Sequence, residues 1–438
     1  MSIPVKKLKT IQLVAVIFLT VSGGPYGLEP LLTNAGNNAA ILLLLITPIL
    51  WDIPSIFVVL ELNSMMPVTG GYYQWVKRGL GLRWAFYEGW WTWLYTFVDL
   101  AIYPVLFVEY ASFFFPQLAA YKIPVCLIII WASAALNIRG IVPVGKTSVF
   151  LGTVVLIPFA VLFVVALLRY HGHISIPAQT LTGHSFSSTG LALYTIMWNF
   201  IGWDNTTTYA EEVDKPRKSY IASIVTAFLI VLMIYLIAVI ISIQSGISAV
   251  VLNQKGFPAL GTLVGGNWLG AMIAAGGMAS AMGLYSAVLL SVSRVPQVMA
   301  EDRLLPKKLS SLHPRFNSPY ISILTCSLVV SFMILWTFGE LLIIDVTVYG
   351  AALFLEYITL IRLRIIDPKE HRPFKIPLNV FGLCLMILLP LTVYTIALTA
   401  AFTSEGAALK PALFALATLL TAEVIWRIIN TGNRFTAK

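Results

Sequence analysis

Charge is what this sequence has least of. Only 11% of its 438 residues are Asp, Glu, Lys or Arg, against about 25% in a soluble domain. With 58% hydrophobic residues and a mean hydropathy of +0.87, the chain reads as a polytopic membrane protein. Cysteine is also scarce. Cys126, Cys326 and Cys384 stand singly in apolar runs, which excludes a disulfide framework and any metal-ligand spacing. The five histidines, His171, His173, His184, His313 and His371, all fall in loops. No His-Glu-x-x-His, Gly-x-Ser-x-Gly or Walker-type segment is present, so neither an enzyme nor a cofactor or metal site is expected. No repeated filter-like segment suggests a channel. No cleavable leader is visible either: Lys6, Lys7 and Lys9 lead straight into the first apolar run, which is expected to be retained.

What is abundant is apolar runs. A span needs about 20 such residues, and twelve fit, near 10–34, 39–63, 83–115, 121–138, 144–168, 187–211, 219–243, 266–293, 319–338, 340–362, 377–402 and 408–430. With the N-terminus placed in the cytoplasm, 24 of the 28 Lys and Arg fall on the inner side. Only Lys122, Arg169, Lys255 and Lys410 fall outside. This is the positive-inside asymmetry. It supports both the span count and cytoplasmic termini, and it explains the net charge of +9 without nucleic acid. The segment between spans two and three, with Gly70-Gly71-Tyr72-Tyr73 and Trp75, is too polar to span and is expected at the inner interface. Small residues at Gly266, Gly270, Ala274, Gly277 and Ala281 give span eight a close-packing stripe.

Two spans are interrupted. Ser22-Gly23-Gly24-Pro25-Tyr26-Gly27 cannot continue a regular helix, because glycine is conformationally loose and proline lacks an N–H. Asn199-Phe200-Ile201-Gly202-Trp203-Asp204-Asn205 interrupts span six and carries an acid. Backbone freed inside a bilayer must be satisfied by protein, water or ligand. Spans one and six open two five-span sets of opposite orientation. Paired breaks in corresponding places point to an inverted-repeat transporter with its site between them.

Acids at membrane depth are costly and usually functional. They are Asp52, Glu61, Asp99, Glu109, Asp204, Asp345, Glu356 and Glu423, with Glu88 nearer an end. No Lys or Arg is expected at mid-span. On span three, Thr92, Tyr95, Asp99, Tyr103 and Tyr110 share a face, and Glu109 lies about 80° round from Asp99. On span ten, Asp345, Tyr349 and Glu356 share a face. Aromatic faces with a nearby carboxylate suit ammonium groups. The ordinary alternative is that Glu61, Glu356 and Glu423 cap helices near the interface.

The span-six segment with Ala210-Glu211-Glu212-Val213-Asp214-Lys215-Pro216-Arg217-Lys218 is similar to a signature of the amino acid–polyamine–organocation permeases. So are Ser293-Arg294, Met299-Ala300-Glu301-Asp302-Arg303-Leu304-Leu305-Pro306-Lys307 and His313-Pro314-Arg315-Phe316-Asn317-Ser318-Pro319-Tyr320. Within that superfamily, Ser22 to Gly27, Trp203-Asp204, Asp99 with Tyr103, and Tyr349 with Glu356 most resemble polyamine-uptake-type and L-type amino acid permeases. The resemblance covers roughly residues 10–430.

It implies an all-α membrane fold of twelve helices, a LeuT-type five-plus-five inverted repeat with helices one and six discontinuous. Residues 1–438 would form one transporter domain, with repeats at 10–168 and 187–362 and two added helices at 377–430. It implies a substrate site of Ser22, Gly23, Gly24, Tyr26, Asp99, Tyr103, Asn199, Phe200, Gly202, Trp203, Asp204 and Tyr349. Asp99, Asp204 and Glu356 are the candidates for proton coupling.

Two departures bear on the substrate. Pro25 removes one N–H that an amino-acid carboxylate would use, and Asp204 favours extra amines. Some proton-coupled relatives place a Lys within span five; here Ser148 to Leu168 has none and Lys146 lies nearer the cytoplasmic end, so a carboxylate is expected to carry the proton. A sodium site using Ser291 or Ser293 is the minor alternative. The expected function is secondary transport of polyamines or cationic amino compounds with proton symport, in the plasma or inner membrane. The alternative is an amino-acid permease or exchanger. A substrate-sensing receptor of the same fold is a further class. The expected partners are a small molecule, H+ and the lipid bilayer.

Overall fold

The computed structural model describes residues 7–173, 175–181, 185–334, 338–403 and 409–436. Its elements are helical: α1 Thr10–Val21, α2 Pro30–Thr47, α3 Ile53–Met65, α4 Gly71–Leu80, α5 Leu82–Ala111, α6 Lys122–Ile138, α7 Ile141–Arg169 and α8 Phe186–Trp198, followed by α9 Pro216–Ser245, α10 Ala249–Gly265, α11 Asn267–Val292, α12 Arg294–Glu301, α13 Tyr320–Met333, α14 Phe338–Ile366, α15 Val380–Thr403 and α16 Leu409–Thr436. Among the described residues there is no strand, only two isolated bridges, Leu8 with Val213 and Thr69 with Tyr209.

Nine helices among the described residues are long and apolar enough to cross a membrane. Three more expected spans appear as short helices, α1, α8 and α13, of 12, 13 and 14 residues. Two of these are short because they stop at the breaks read from the sequence. The expected boundary between spans nine and ten, at 339, falls inside α14, while α13 ends at Met333; residues 335–337 lie outside the described residues, as do Lys6, His184 and Lys438.

Local chemistry sets the ends. α1 ends at Ser22, and α2 begins with Pro30 at its first position, where a missing N–H costs nothing. Within α2, Gly36 turns the chain at φ 63°, so the resumed half of span one and the start of span two are one kinked helix. A π-helical turn, Pro48–Asp52, joins α2 to α3. The third span ends at Ala111 rather than 115, because Phe115 precedes Pro116 and is pushed out of the helical region. α4 is a short helix that buries Tyr72, Tyr73, Trp75 and Val76. α10, kinked at Gly256, was not expected from the sequence. Its Pro258 and Gly256 give no helical start signal.

The core is the pair α5 and α11, which are packed on α7 and α14. The small residues of α11 have a packing role. A Cβ on Gly277 would lie 2.5 Å from the Tyr110 ring, and one on Gly283 would lie 2.8 Å from Leu19. They let α5 and α1 approach closely.

Candidate functional site

The first break is held by its own short side chains. Ser22 Oγ accepts the Gly24 N–H at 3.0 Å. Ser22 N–H and Gly23 N–H both return to Phe18 O. Gly23 and Gly24 have φ of 61° and 99°, a region that favours glycine. Tyr26 turns inward, donates to Ile273 O at 2.8 Å and packs edge-on against Tyr110 and Phe159.

The second break lies against the first. α8 ends at Asn199, and the chain runs irregularly through Gly202 at φ 95° to a short 3-10 turn, Asn205–Thr208. Asn199 Nδ2 donates to Gly27 O at 3.3 Å. Tyr235 on α9 lies within 2.7 Å of both Ser22 Oγ and Asn199 O. One phenol therefore ties the two breaks together. Sequence reading missed Tyr235, which sits in a mostly apolar stretch of α9; a polar hydroxyl inside that stretch was its only signal.

Carboxyl groups gather beside the second break in two clusters. In the first, Tyr349 donates to Asp204 Oδ1 at 3.1 Å. Glu356 and Glu88 stand close enough to Asp204 and to each other to interact electrostatically. Tyr95 packs edge-on to Tyr349 at 5.3 Å and donates to Asn205 Oδ1 at 3.2 Å. Among the described residues, both oxygens of Glu356 and one of Glu88 are buried with no donor.

In the second cluster, Asp99 accepts from Tyr103 at 2.5 Å and from Trp198 Nε1 at 3.2 Å. Asp345 stands beside it, close to Trp198. All five acids are at most 4% exposed. None of their hydrogen bonds or ion pairs among the described residues is with Lys or Arg. Among the described residues, no three acids, His or Cys are set to hold a metal ion. Carboxyl groups buried in this way are costly unless they are neutralised or paired.

Several expected residues sit differently from their sequence reading. Trp203 points away from Asp204; its Nε1 donates to Asp52 Oδ1 at 3.3 Å and its ring packs on Phe228. Phe200 packs on Tyr235 and Phe228. Beyond the break these neighbours in sequence fan out, so Asp204 has Tyr349 for its aromatic partner. Gly24 faces Val155, 2.7 Å from where its Cβ would be, so bulk there would clash with α7. Gly23 would meet Ser280 and Leu284. Glu88 was read as a helix-end acid, yet the four-, seven- and eleven-residue steps to Thr92, Tyr95 and Asp99 already put it on their face.

Glu61 is structural. It accepts from Arg364 at 2.5 and 2.6 Å and from Ile376 N–H at 2.8 Å, with Arg372 at 3.3 Å. Arg364 is therefore a buried base reaching into the bundle. Glu423 binds Arg427, Arg83 and Tyr87 at the interface. Glu61→Gln is expected to cost about 3–5 kcal/mol, because two buried guanidinium groups lose their counter-charge. Thermal unfolding in detergent measures it. A melting point within about a degree of the parent would show that the cluster is not stabilising.

The two ends of the bundle differ. At one, Leu8 N–H donates to Glu212 O, and Asp214 N–H to Leu8 O, both at 2.9 Å. Arg294 binds Glu212 at 2.6 Å, and Lys77 binds Asp302 at 2.6 Å. At the other, a cavity of about 450 Å³ opens between α2, α5 and α10, with Glu29, Glu109, Tyr110 and Lys255 in its wall.

Broken helices facing each other across a buried, acid-rich centre describe a membrane transporter. The amino acid permease family profile matches residues 8–422. The chain belongs to that family, within the amino acid–polyamine–organocation superfamily. It is 33% identical over 429 residues to polyamine transporter RMV1 of Arabidopsis thaliana, covering 96% of this chain and 85% of that protein. It is 32% identical over 391 residues to polyamine transporter PUT1 of rice, Oryza sativa subsp. japonica, covering 87% and 71%. A more distant likeness, 27% over 283 residues covering 60% and 61%, is to the serine/threonine exchanger SteT of Bacillus subtilis strain 168. The function is therefore transport rather than catalysis, in a multi-pass membrane protein.

Proposed function

We propose that this protein is a secondary transporter of polyamines or related cationic amines, driven by proton symport through alternating access. The observation that carries the reading is the pair of buried carboxyl clusters without a basic partner. Asp99 follows Tyr95 by four residues, and Asp345 precedes Tyr349 by four, so each helix separates the clusters by about 6 Å. Five bonds of about 1.5 Å in an extended zigzag also span about 6 Å, the length of a four-carbon diamine. The relatives named as polyamine transporters support the same class. Asp204 and Asp99 are the amine contacts, with Ser22, Gly23, Gly24, Asn199, Gly202, Tyr103 and Tyr349 shaping the site. Glu356, Asp204 and Asp99 carry the proton.

The proposed architecture is twelve spans in a LeuT-type inverted repeat, with 10–168 and 187–362 as the repeats and 377–430 added. The two short helices at the breaks support it, since both begin a five-helix set. The pairing of Leu8 with 212–214 closes one end, and the cavity at Glu29 lies at the other. Both termini are placed in the cytoplasm of a plasma or inner membrane. Reporter fusions at Arg169 and Lys410 are expected to read as external, and those at Lys215 and Lys308 as internal. A reversed signal at either pair would overturn the span map.

The functional test is uptake of labelled putrescine, spermidine, arginine, leucine and alanine into proteoliposomes, with and without an inward proton gradient. Amine uptake that rises with the gradient is the expected result. The second reading, an amino-acid exchanger, is favoured by the likeness to SteT. It predicts leucine or alanine as the better substrate.

A further inference from the structure

The end of α2 that faces the first break is already occupied by a carboxylate. Glu29, the residue before α2, is 6% exposed. Its side chain folds back. Oε2 accepts the Gly27 N–H at 2.6 Å, and Oε1 accepts the Tyr110 hydroxyl at 2.5 Å. A half-helix N-terminus with free N–H groups attracts anions, and in broken-helix transporters it meets the anionic part of a substrate. Here several of those groups are already engaged. Gly24 N–H is on Ser22 Oγ, Gly27 N–H is on Glu29, and Leu28 N–H returns to Pro25 O at 3.0 Å. Pro25 and Pro30 have none.

Glu29 also stands at the wall of the 450 Å³ cavity, with Glu109 and Lys255. An incoming carboxylate would meet another carboxyl group at the place where the Gly27 N–H points. The same hydrogen bond ties Glu29 to the break itself, since Gly27 O is held by Asn199.

Resting on the amine-transport reading above, we propose that Glu29 is a specificity-determining residue: a built-in carboxylate that fills the carboxylate position at the α1 break, so that amines are admitted and amino acids are excluded. Glu29 acts on selection, and the amine contacts remain at Asp204 and Asp99.

The test is competition. Uptake of labelled putrescine by the full-length protein is measured with serine, leucine or 4-aminobutyrate as inhibitor, for the parent, Glu29→Ala and Glu29→Gln. The parent should be insensitive to all three. Glu29→Ala frees the Gly27 N–H and removes the charge, so sensitivity should rise at least about tenfold, the size of one charge-assisted contact. Glu29→Gln keeps the volume but loses the charge, and should show a smaller rise in the same direction. Binding of putrescine and serine to each purified variant, read by thermal shift in detergent, covers a variant that inserts but does not turn over. Should the alanine variant not fold, the glutamine variant decides alone. Unchanged inhibition in a variant that still carries putrescine overturns the role of Glu29 and leaves the transport reading intact. Failure of the parent to carry any amine overturns that reading instead. Loss of putrescine affinity without gain of amino-acid inhibition would make Glu29 an amine contact, and contradicts the proposal.

Discussion

Asp204→Asn is expected to weaken putrescine affinity by about ten- to a hundredfold while the protein still inserts and folds. Asparagine keeps the size and the hydrogen bond from Tyr349, which reaches Oδ1 at 3.1 Å. What it removes is charge. A charge-assisted contact is worth roughly 1.5–3 kcal/mol, which is that range of affinity. The loss is expected to be large because, among the described residues, no Lys or Arg pairs with Asp204. Labelled uptake against concentration measures the shift. Unchanged affinity would mean that the amine binds elsewhere, and the acid cluster would then be a structural feature of the bundle.

Glu356→Gln is expected to separate transport from its driving force. Glu356 faces Asp204, and neither of its oxygens finds a donor among the described residues. Two facing buried carboxyl groups hold a proton or a cation between them. Glutamine supplies a permanent N–H at that place and imitates the proton-loaded pair. Exchange of internal for external putrescine should therefore persist, while accumulation driven by an inward proton gradient should fall about tenfold or more, the ordinary size of a coupling term. Counterflow and gradient-driven uptake in the same proteoliposomes tell the two apart. Equal loss of both would make Glu356 a substrate contact rather than a proton carrier.

The breaks were legible because glycine and proline interrupt a helix by local chemistry, and a local cause leaves a local sign. The shared face of Tyr95, Asp99 and Tyr103 was legible for the same reason, from helical spacing alone. Contacts between distant residues were not. Glu61 and Arg364 lie 303 residues apart, and no periodicity announces their pairing. The direction of Trp203 depends on where an irregular stretch turns, which spacing rules do not cover. Glu29 went unread as an acid of interest because its role lies in a backbone N–H two residues back. Glu88 could have been read, since it completes the face of α5 on which Asp99 lies.

The most direct measurement of the central claim is competition binding with molecules of equal chain length and different charge. Putrescine, butylamine and 4-aminobutyrate share a four-carbon chain with two, one and one ammonium groups, the last also carrying a carboxylate. On purified protein loaded with labelled putrescine, two carboxyl clusters predict that putrescine competes at least about tenfold better than butylamine, one charge-assisted contact apart. They also predict that 4-aminobutyrate competes worst, because its anion meets only acids. If 4-aminobutyrate or serine displaced the label as well as putrescine does, recognition would rest on the backbone of the break and not on the buried acids.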